Sequence, residues 1–594
     1  MPIVDAITVE VIRHRLLSAA REMATNLMRT AYNTIVYEIR DFGLGIYDRQ
    51  GRQVAEAPGL TIFTRANDFA LRSVIDFLGY EKLEPGDAVL LNYPYWSSAH
   101  TLDVVVCSPI FAGSELVGFT AVRIHWLDLK QRYAGYCLDT TDMYQEGLVF
   151  PCTKIYRRGE LNEDVVNILK FNSRLPDRVL GDMHAQISAC RIGEKRTQEI
   201  VERFGNDAYQ AAIEQILEHG ERLARNRLAK LPTGTWSAED YMDGDGVEDR
   251  LVKMKVTVTV SPDEMVVDWT GSDPATRGPI NLPFGQTVGL SSLVFKAVTT
   301  PDTPANEGNF RPLRVIAPAG SLMHAVPPSP TFTLWTGLLA GEVILKALAQ
   351  GMPDLVPACS GGDVCSMMGL GVNPRTDRAW LEATNEGVGF GGHARGDGES
   401  GIMHMTEPGC RNNPVEVLET KSPMFIEHYG LRTDSGGPGL YRGGLGVSRG
   451  YRFLADSTSA MMVYKTRTRP WAIRGGWSGE NNHVIMNPGT PDERIAGGHY
   501  RFVESGDVLV NNSGGGGGWG DPFQRDSRHV MEDVHDGYVS VRAAREAYGV
   551  SIDTQAWTVN EEETLRLRAE PKGPEPDPIG GDTPGTRPEV TATP

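Results

Sequence analysis

Glycine and proline are concentrated in one long stretch of the chain, and this stretch limits the folds that the chain can adopt. From about residue 280 to residue 525 both are dense, in segments such as DSGGPGLYRGGLG and NNSGGGGGWGDP. Glycine permits positive φ and close backbone approach, whereas proline cannot continue a helix. We therefore expect loops through most of this stretch, and one helix around residues 339–349.

The part of the chain before this stretch switches between helical and strand patterns. Apolar residues at helical spacing from Val9 to Leu27 predict an amphipathic helix of about twenty residues. Short apolar runs separated by turn pairs predict a strand-rich segment from about 35 to 151, and helices return between about 162 and 231. Strict apolar alternation from Val252 to Val260, followed by a turn, predicts a β-hairpin.

Together these patterns predict an α+β fold with several domains, mixed β-sheets, a helical segment and a Gly-rich C-terminal half. We expect five segments along the chain. They are an N-terminal helix with a strand-rich metal-binding domain (1–160), a helical segment (161–235), a β-rich domain (236–330), a Gly-rich α/β domain (331–560) and a disordered tail (561–594) that is rich in Pro, Gly, Thr and acid.

Composition excludes several classes of protein. The 76 acidic and 58 basic side chains give a formal charge of −18, which disfavours nucleic-acid binding. No run of eighteen apolar residues or signal peptide is present, so we expect a cytoplasmic protein without a membrane span. Seven scattered cysteines without a CxxC pair are expected to be reduced thiols in the core.

Two histidines and an aspartate form the most specific candidate site. His100 and Asp103 lie in SAHTLD, and His125 follows in RIHWLD after a predicted hairpin with its turn near Gly113. Two imidazoles and a carboxylate can occupy one face of a divalent metal and leave its other positions open. The alternative from spacing alone is a group of hydrogen-bonded core side chains.

Glu38 and Asp41 form a second acidic group, just before a predicted strand. They suit general acid/base chemistry or the support of metal ligands, although an ion pair between one of them and Arg40 is the simpler interpretation. The glycine run 514–518 lacks the Gly-Lys-Ser/Thr ending of a phosphate loop, so we interpret it as structural. No GxSxG elbow occurs either, and the chain has no recognisable ATP site of its own.

The sequence resembles the hydantoinase B (N-methylhydantoinase B) family, which includes subunits of ketone carboxylases and lactamases. The resemblance runs from about residue 5 to residue 521, in segments that include RTAYNTIVYEIRDFG, LLNYPYWSSAHTLDV, VRIHWLDL, GDMHAQISACRIGEKR and GGGGWGDP. In carboxylase members a His, an Asp three residues later and a second His hold a divalent metal, and these correspond to His100, Asp103 and His125. Mn, Zn and Fe are the candidate ions.

The chain also departs from the common family pattern near these residues. The usual Asn-Asp-Pro-Tyr and Gly-Gly-Thr-His stretches are replaced by NYPY and SSAH, and the usual His-His-x-Asp-x-Gly-Gly by HWLDLKQ. The candidate ligands are kept while nearby small or acidic residues change. We therefore expect a pocket of different shape and polarity, and a substrate other than a plain hydantoin.

The resemblance implies a hetero-oligomer with a hydantoinase A-like subunit, which binds ATP and phosphorylates an oxygen of a small-molecule substrate. The first hypothesis is ATP-dependent opening of a cyclic amide at the metal held by His100, Asp103 and His125, with Asp128, Glu38 and Asp41 as candidate catalytic or supporting residues. The alternative is ATP-dependent carboxylation of a ketone. A third hypothesis, a non-catalytic scaffold subunit, is disfavoured because all three candidate ligands are present.

Overall fold

The computed structural model describes residues 4–57, 59–63, 65–332, 335–496 and 500–570. It is an α+β protein with four sheets of four to seven strands and one two-stranded ribbon, in agreement with the predicted fold class. Short 3₁₀ turns occur at Thr61–Phe63, Tyr80–Lys82, Met143–Gln145, Glu307–Phe310 and Pro522–Gln524.

A seven-stranded sheet occupies the N-terminal part, and each neighbouring pair is antiparallel, in the order β2-β1-β5-β4-β3-β6-β7. Its strands are β1 (Phe42–Asp48), β2 (Gln53–Glu56), β3 (Ala88–Leu91), β4 (Asp103–Ala112), β5 (Glu115–His125), β6 (Thr153–Arg157) and β7 (Glu160–Leu161). β4 and β5 form the predicted hairpin, with Gly113 at φ 62° in the turn. Both faces of the hairpin are buried, which explains its nearly continuous apolar sequence.

Helices cover this sheet. They are α1 (Ala6–Thr30), α2 (Thr34–Tyr37), α3 (Ala66–Leu78), α4 (Pro94–Ser97), α5 (Glu163–Phe171), α6 (Pro176–Phe204) and α7 (Asn206–Leu228). The side chain of Asp5 caps α1 by accepting from the backbone N–H groups of Ile7 and Thr8. α6 packs on β4 and β5, where the Gln186 amide donates to the carbonyls of Val104 and Val122. The predicted helices in these segments are confirmed.

A four-stranded sheet follows, in the order β11-β10-β9-β8. It contains β8 (Gly234–Met242), β9 (Val252–Val260), β10 (Met265–Asp268) and β11 (Leu313–Ile316). β9 and β10 form the predicted hairpin, whereas β10 and β11 run parallel, so the sheet is mixed. Alternate residues of β9 are buried, as the sequence alternation requires.

The expectation of one helix between residues 280 and 525 is wrong. The described part of this stretch contains α8 (Phe284–Thr299), α9 (Trp335–Ala349) and the short α10 (Val415–Lys421). α8 is buried around most of its circumference, so it has no polar stripe by which an amphipathic pattern could identify it. Gly285 and Gly289 weaken its intrinsic helical signal further, and tertiary packing overrides that propensity.

Two further sheets build the Gly-rich C-terminal half. One has the order β13-β12-β16-β19 and the other the order β14-β15-β20-β17-β18. Their strands are β12 (Ser366–Asn373), β13 (Arg378–Thr384), β14 (Met424–Leu431), β15 (Val447–Phe453), β16 (Ser457–Met462), β17 (His483–Met486), β18 (Arg494–Ala496), β19 (Tyr500–Val503) and β20 (Val508–Asn512).

The glycine run 514–518 follows β20 and is buried. Each of its five backbone N–H groups donates to another part of the chain: to the side chain of Asn482, and to the carbonyls of Glu480, Gly444, Cys359 and Trp477. Neighbouring backbone also lies too close for a side chain, since a Cβ on Gly516 would meet the carbonyl oxygen of Phe390 at 1.9 Å. These donors are therefore not available to a phosphate, as expected for a structural loop.

The C-terminal end of the described chain contains α11 (Ser527–His535), α12 (Val541–Tyr548), a ribbon of β21 (Ile552–Asp553) and β22 (Thr558–Val559), and α13 (Glu561–Ala569). The predicted disordered tail of 561–594 therefore begins too early. Asn560 caps α13, and charged pairs within its turns stabilise it although it has few apolar residues. Residues 571–594 lie outside the described residues.

One large hydrophobic cluster extends from Val9 to Trp471, across the first four predicted segments, and their boundaries stay predictions. All seven cysteines are buried and free, as expected. Among the described helices, none combines the length and the apolar character that crossing a membrane requires.

Candidate metal centre

The structure brings His100, Asp103 and His125 together at one end of the β4–β5 hairpin. His100 lies in the turn after α4, Asp103 begins β4, and the strand register places Asp103 directly opposite His125, the last residue of β5. Nε2 of His100 is 3.4 Å from Oδ2 of Asp103, and Nδ1 of His125 is 3.5 Å from Oδ1. One ligand atom from each residue lies within 4.8 Å of the others, which is compatible with a shared ion.

The chemistry of these three side chains fits a divalent metal. All three are buried, and both carboxylate oxygens of Asp103 and both ring nitrogens of His125 lack a hydrogen-bond partner in the described part of the chain. Burying a carboxylate without a hydrogen-bond partner costs free energy, and a cation bound beside it would compensate this cost. Two nitrogens and one oxygen are a donor set that Mn, Fe and Zn all accept.

Burial also sets the protonation state of the first histidine. It lowers the pKa of His100 to about 3, although Asp103 opposes this shift. The ring is therefore neutral near pH 7, the form in which imidazole binds metals. The backbone N–H of Leu102 donates to Nδ1 of His100 at 3.1 Å, and Nε2 faces Asp103.

Aromatic rings line one side of the centre. Phe332 stacks on His100 with ring centroids 4.7 Å apart, and Tyr136 stacks on His125 at 5.2 Å. Trp335, at the start of α9, packs edge-on against Tyr136. These rings exclude water and lower the local dielectric, which strengthens every charge interaction at the centre.

Two further carboxyl groups lie beside Asp103. Burial, together with the charge of Asp103, raises the pKa of Asp41 well above its usual value and that of Glu407 to about 7. Oδ1 of Asp41 and Oε2 of Glu407 are buried without a hydrogen-bond partner among the described residues. The charge of Asp103 thus acts on Asp41, whose catalytic role stays a prediction, and on Glu407, which comes from a loop about 300 residues later.

Arg123 supplies a buried positive charge that the sequence analysis does not assign. It lies two residues before His125 on β5, so both side chains emerge on the same face. Nε donates to Asn67 at 2.9 Å and Nη2 to the Ser97 carbonyl, while Nη1 is buried without a partner in the described structure. Burial lowers the pKa of Arg123 to about 10, which leaves it charged, and its charge interacts with Asp103 and Asp41.

Asp128 and Glu38 are not part of this group in the structure. Asp128 is buried and held by Arg174, whose backbone N–H and Nε donate to Oδ2 and whose Nη2 is 3.1 Å from Oδ1. These contacts favour a role in fixing the loop after His125. Glu38 is half-buried near Arg40. A catalytic role for either residue stays a prediction.

The sequence analysis missed Arg123 and Glu407, and the two residues differ in how visible they are in the sequence. Arg123 is visible in the sequence as a lone charged residue within an apolar strand, VRIH. Charged side chains are almost never fully buried unless they are paired, so such a residue is a candidate for a functional role. Glu407 has no local signal, because only the tertiary fold brings its loop to the centre. The backbone N–H of Arg411 donates to the carbonyl of Ile39 and holds that loop against the segment before β1.

Comparison with known proteins gives consistent results. A family model described as Hydantoinase B/oxoprolinase matches residues 5–522. A protein of Pseudomonas sp. (strain NS671), provisionally named as the B-type subunit of a D-/L-hydantoinase, is 32% identical over 95% of this chain and 98% of its own. Among solved structures, an ATP-dependent caprolactamase from Pseudomonas jessenii has a TM-score of 0.87 and 28% identity, over 96% of this chain and all of that one. An acetone carboxylase chain has a TM-score of 0.88 at 20% identity, over 95% and 82%, and shares the fold.

Proposed function

Because the chain belongs to the hydantoinase B/oxoprolinase family, we propose that it is the metal-binding catalytic subunit of an ATP-dependent enzyme that opens cyclic amides of the hydantoin or lactam type. In this proposal ATP is bound by a separate protein chain, which phosphorylates the amide oxygen. The chain described here then carries out the addition of water to the activated carbon. In sum, cyclic amide, ATP and water give the ring-opened acid, ADP and phosphate.

The observation that carries the proposal is the buried group of His100, Asp103 and His125, in which the Asp103 oxygens and the His125 nitrogens have no hydrogen-bond partner among the described residues. These residues would hold a divalent cation, with Mn, Zn and Fe as candidates. Such a cation, when bound, supplies Lewis acidity and lowers the pKa of water to near neutrality. Neighbouring His100, His125 and Arg123 lower the pKa of Asp103 despite its burial, so its carboxylate is ionised and suited to bind a cation.

Arg123 is placed to stabilise negative charge during the reaction. Its free Nη1 is buried, and its other two nitrogens are fixed by Asn67 and Ser97. A fixed, dehydrated guanidinium interacts strongly with an anionic oxygen such as that of a phosphorylated amide or its addition product. The rings of Tyr136 and Phe332 keep bulk water from competing for this charge.

Asp41 and Glu407 are the candidate groups for moving protons. Ring opening breaks a C–N bond, and the leaving nitrogen needs a proton at neutral pH. Attacking water must lose a proton in the same reaction. Asp41 and Glu407 both interact with the charge of Asp103, and in this proposal one carboxyl group gives a proton to the leaving nitrogen while the other takes one from water. This pair of transfers suits hydrolysis of an amide better than carboxylation, where no amine leaves.

Two observations support a separate ATP-binding partner. Its glycine run has every N–H bonded internally, so it offers no cradle for phosphates. The Pseudomonas relative is named as a subunit, and the caprolactamase is described as ATP-dependent. We therefore expect a hetero-oligomer with a hydantoinase A-like subunit.

The experiment is substrate-dependent ATP consumption by the complex of this chain with its native partner. Hydantoin, 5-oxoproline and lactams are supplied without bicarbonate, and ketones are supplied with it. Consumption with a cyclic amide alone supports the proposal. A strict requirement for ketone plus bicarbonate would replace it with a ketone carboxylase, a function that uses the same fold in acetone carboxylase. Full turnover by His125→Ala, with exposed His529→Ala as the matched control, would remove the metal mechanism from consideration.

A further inference from the structure

A second concave site lies outside the metal centre, between the start of α6, the β12–β13 hairpin and the end of α10. This groove has a volume of about 800 Å³. Four basic side chains and one acidic side chain line it. They are Arg174, Arg178, Arg378, Lys421 and Asp177, and we refer to the site as the basic groove.

The charges of the basic groove do not balance. Arg174 is paired with Asp128 and Arg178 with Glu382, so each of these cations has a buried counter-charge. Neither Arg378 nor Lys421 has a carboxylate partner among the described residues. Asp177 is the one acidic group in the lining. The groove thus holds surplus positive charge on a chain whose formal charge is −18.

Lys421 shows how this surplus is maintained. Its side chain is half-buried, its ammonium group contacts the hydroxyl of Tyr37, and it lies 4.7 Å from the centre of that ring. A hydroxyl and a ring face hold the cation in position without neutralising it. Arg378 is exposed in the same groove, so an incoming anion can approach both groups.

Both sides of the basic groove are connected to the segment that carries His125. On one side, Arg174 holds Asp128, three residues beyond His125 in the chain. On the other, Glu382 pairs with Arg178 and accepts from the hydroxyl of Thr34 at the start of α2. The residue before Thr34, Asn33, donates its side-chain amide to the carbonyl of His125 at 3.0 Å.

We propose that the basic groove binds a phosphoryl group carried by a small molecule. This inference rests on the proposed function, in which a phosphorylated substrate reaches this chain and phosphate leaves it. The planar guanidinium of Arg378 can bind two phosphate oxygens at once, and Lys421 adds a point charge. The volume falls in the range of about 300–1,000 Å³ that is usual for small-molecule sites. The net charge of the chain disfavours a nucleic acid as the occupant.

The test is titration calorimetry on the full-length chain with inorganic phosphate, phenyl phosphate and ADP as separate probes. Arg378→Ala should raise the dissociation constant at least about ten-fold, because a charge-assisted hydrogen bond is lost. Arg378→Lys should recover part of this loss. Arg542→Ala, an exposed arginine on α12, is the matched control and should change it less than two-fold. The binding should weaken as salt is added.

The three probes distinguish the source of the phosphoryl group. Preference for phosphate indicates the released product, preference for phenyl phosphate the activated substrate, and preference for ADP a nucleotide. His125→Ala should keep the binding, because the basic groove does not include the metal centre. Turnover plays no part in this readout, so the proposed reaction can fail while phosphate binding stands.

Four results would overturn the inference. The first is no binding of any probe at millimolar concentration. The second is an equal loss of binding in Arg378→Ala and Arg542→Ala. The third is loss of binding in His125→Ala alone, which would assign the phosphate to the metal centre. Binding of an acidic peptide in place of all three probes would likewise exclude a phosphoryl site and identify a docking surface.

Discussion

The metal centre and the glycine run bury polar groups in opposite ways. At the metal centre, Asp103 and His125 are fully enclosed, yet their side-chain oxygens and nitrogens have no hydrogen-bond partner in the described chain. In the run 514–518 every backbone N–H is also enclosed, and every one is bonded to another part of the chain. The first region keeps buried atoms without a hydrogen-bond partner, as a ligand site would, whereas the second has all of its backbone donors bonded.

This difference agrees with the sequence analysis of the two motifs. The run of five glycines lacks the ending of a phosphate loop, and the His-x-x-Asp spacing alone can arise by chance. The decisive property is whether the buried polar atoms already have partners. A fold tolerates few unsatisfied buried groups, so a cluster of them marks a site for a ligand.

Replacing a candidate metal ligand should abolish the activity of the metal centre and leave the rest of the fold intact. We expect His125→Ala to reduce substrate-dependent ATP turnover by about 1,000-fold or more, because a lost ligand removes the cation on which the chemistry depends. Assembly with the partner subunit, measured by size-exclusion chromatography, should be unchanged. Turnover within ten-fold of wild type would contradict the assigned role of this residue.

Arg123 provides a second test of the metal centre. Its Nη1 is buried without a hydrogen-bond partner among the described residues, but a guanidinium does not bind a metal ion. Arg123→Met should lower kcat by about 100- to 1,000-fold through loss of charge stabilisation. Metal content should remain at the wild-type level, which distinguishes this effect from loss of the ion. A parallel loss of metal would instead assign Arg123 to the support of the ligands. Arg542→Met on α12 is the control.

The glycine run should respond to a methyl group through stability. A Cβ on Gly516 would lie 1.9 Å from the carbonyl oxygen of Phe390, which is buried backbone that cannot move freely. We expect Gly516→Ala to lower the free energy of unfolding by about 3 kcal/mol or more, measured by urea denaturation. Gly430→Ala, where no atom lies within 4 Å of the new Cβ, should stay within about 1 kcal/mol of wild type. Equal stability of the two variants would show that the run is not closely packed.

The smallest changes in kcat are expected for variants of Asp41 and Glu38, the two acidic residues near α2, and these changes should differ between the two. Asp41 has a buried, unpartnered oxygen beside Asp103, whereas Glu38 is half-buried. Asp41→Asn should lower kcat by about 10- to 100-fold if it transfers protons, at or below the lower end of the range for acid/base catalysis. Glu38→Gln should change kcat less than about two-fold, as is usual for groups outside the reacting set. Similar losses in both variants would restore Glu38 as a candidate.

Much of the fold follows from sequence patterns. The amphipathic α1, the hairpins β4–β5 and β9–β10, and the grouping of His100, Asp103 and His125 all agree with expectation, because periodicity and turn residues are local properties. The helix α8 does not follow, since a helix buried around most of its circumference has no polar face to mark it. The helix α13 is missed because charge pairing and capping stabilise it without apolar periodicity.

Long-range contacts explain what the sequence does not reveal about the site. Glu407 and Asp103 are about 300 residues apart, and the loop of Glu407 is held by the bond from Arg411 to Ile39, in the segment before β1. The carboxyl group of Asp128 is of a type that can transfer protons. Arg174, 46 residues later, holds it in an ion pair. Neither relation leaves a pattern in one sequence.

The central claim is that a cation completes the group of His100, Asp103 and His125. The most direct test is elemental analysis for Mn, Fe and Zn on the purified chain and on its His100→Ala variant, both in the folded state. The account predicts about one ion per chain in the wild type and less than about 0.1 in the variant, since each ligand of a three-residue site is needed for tight binding. Absence of metal from the wild type after incubation with all three ions, or equal metal in both proteins, would contradict it.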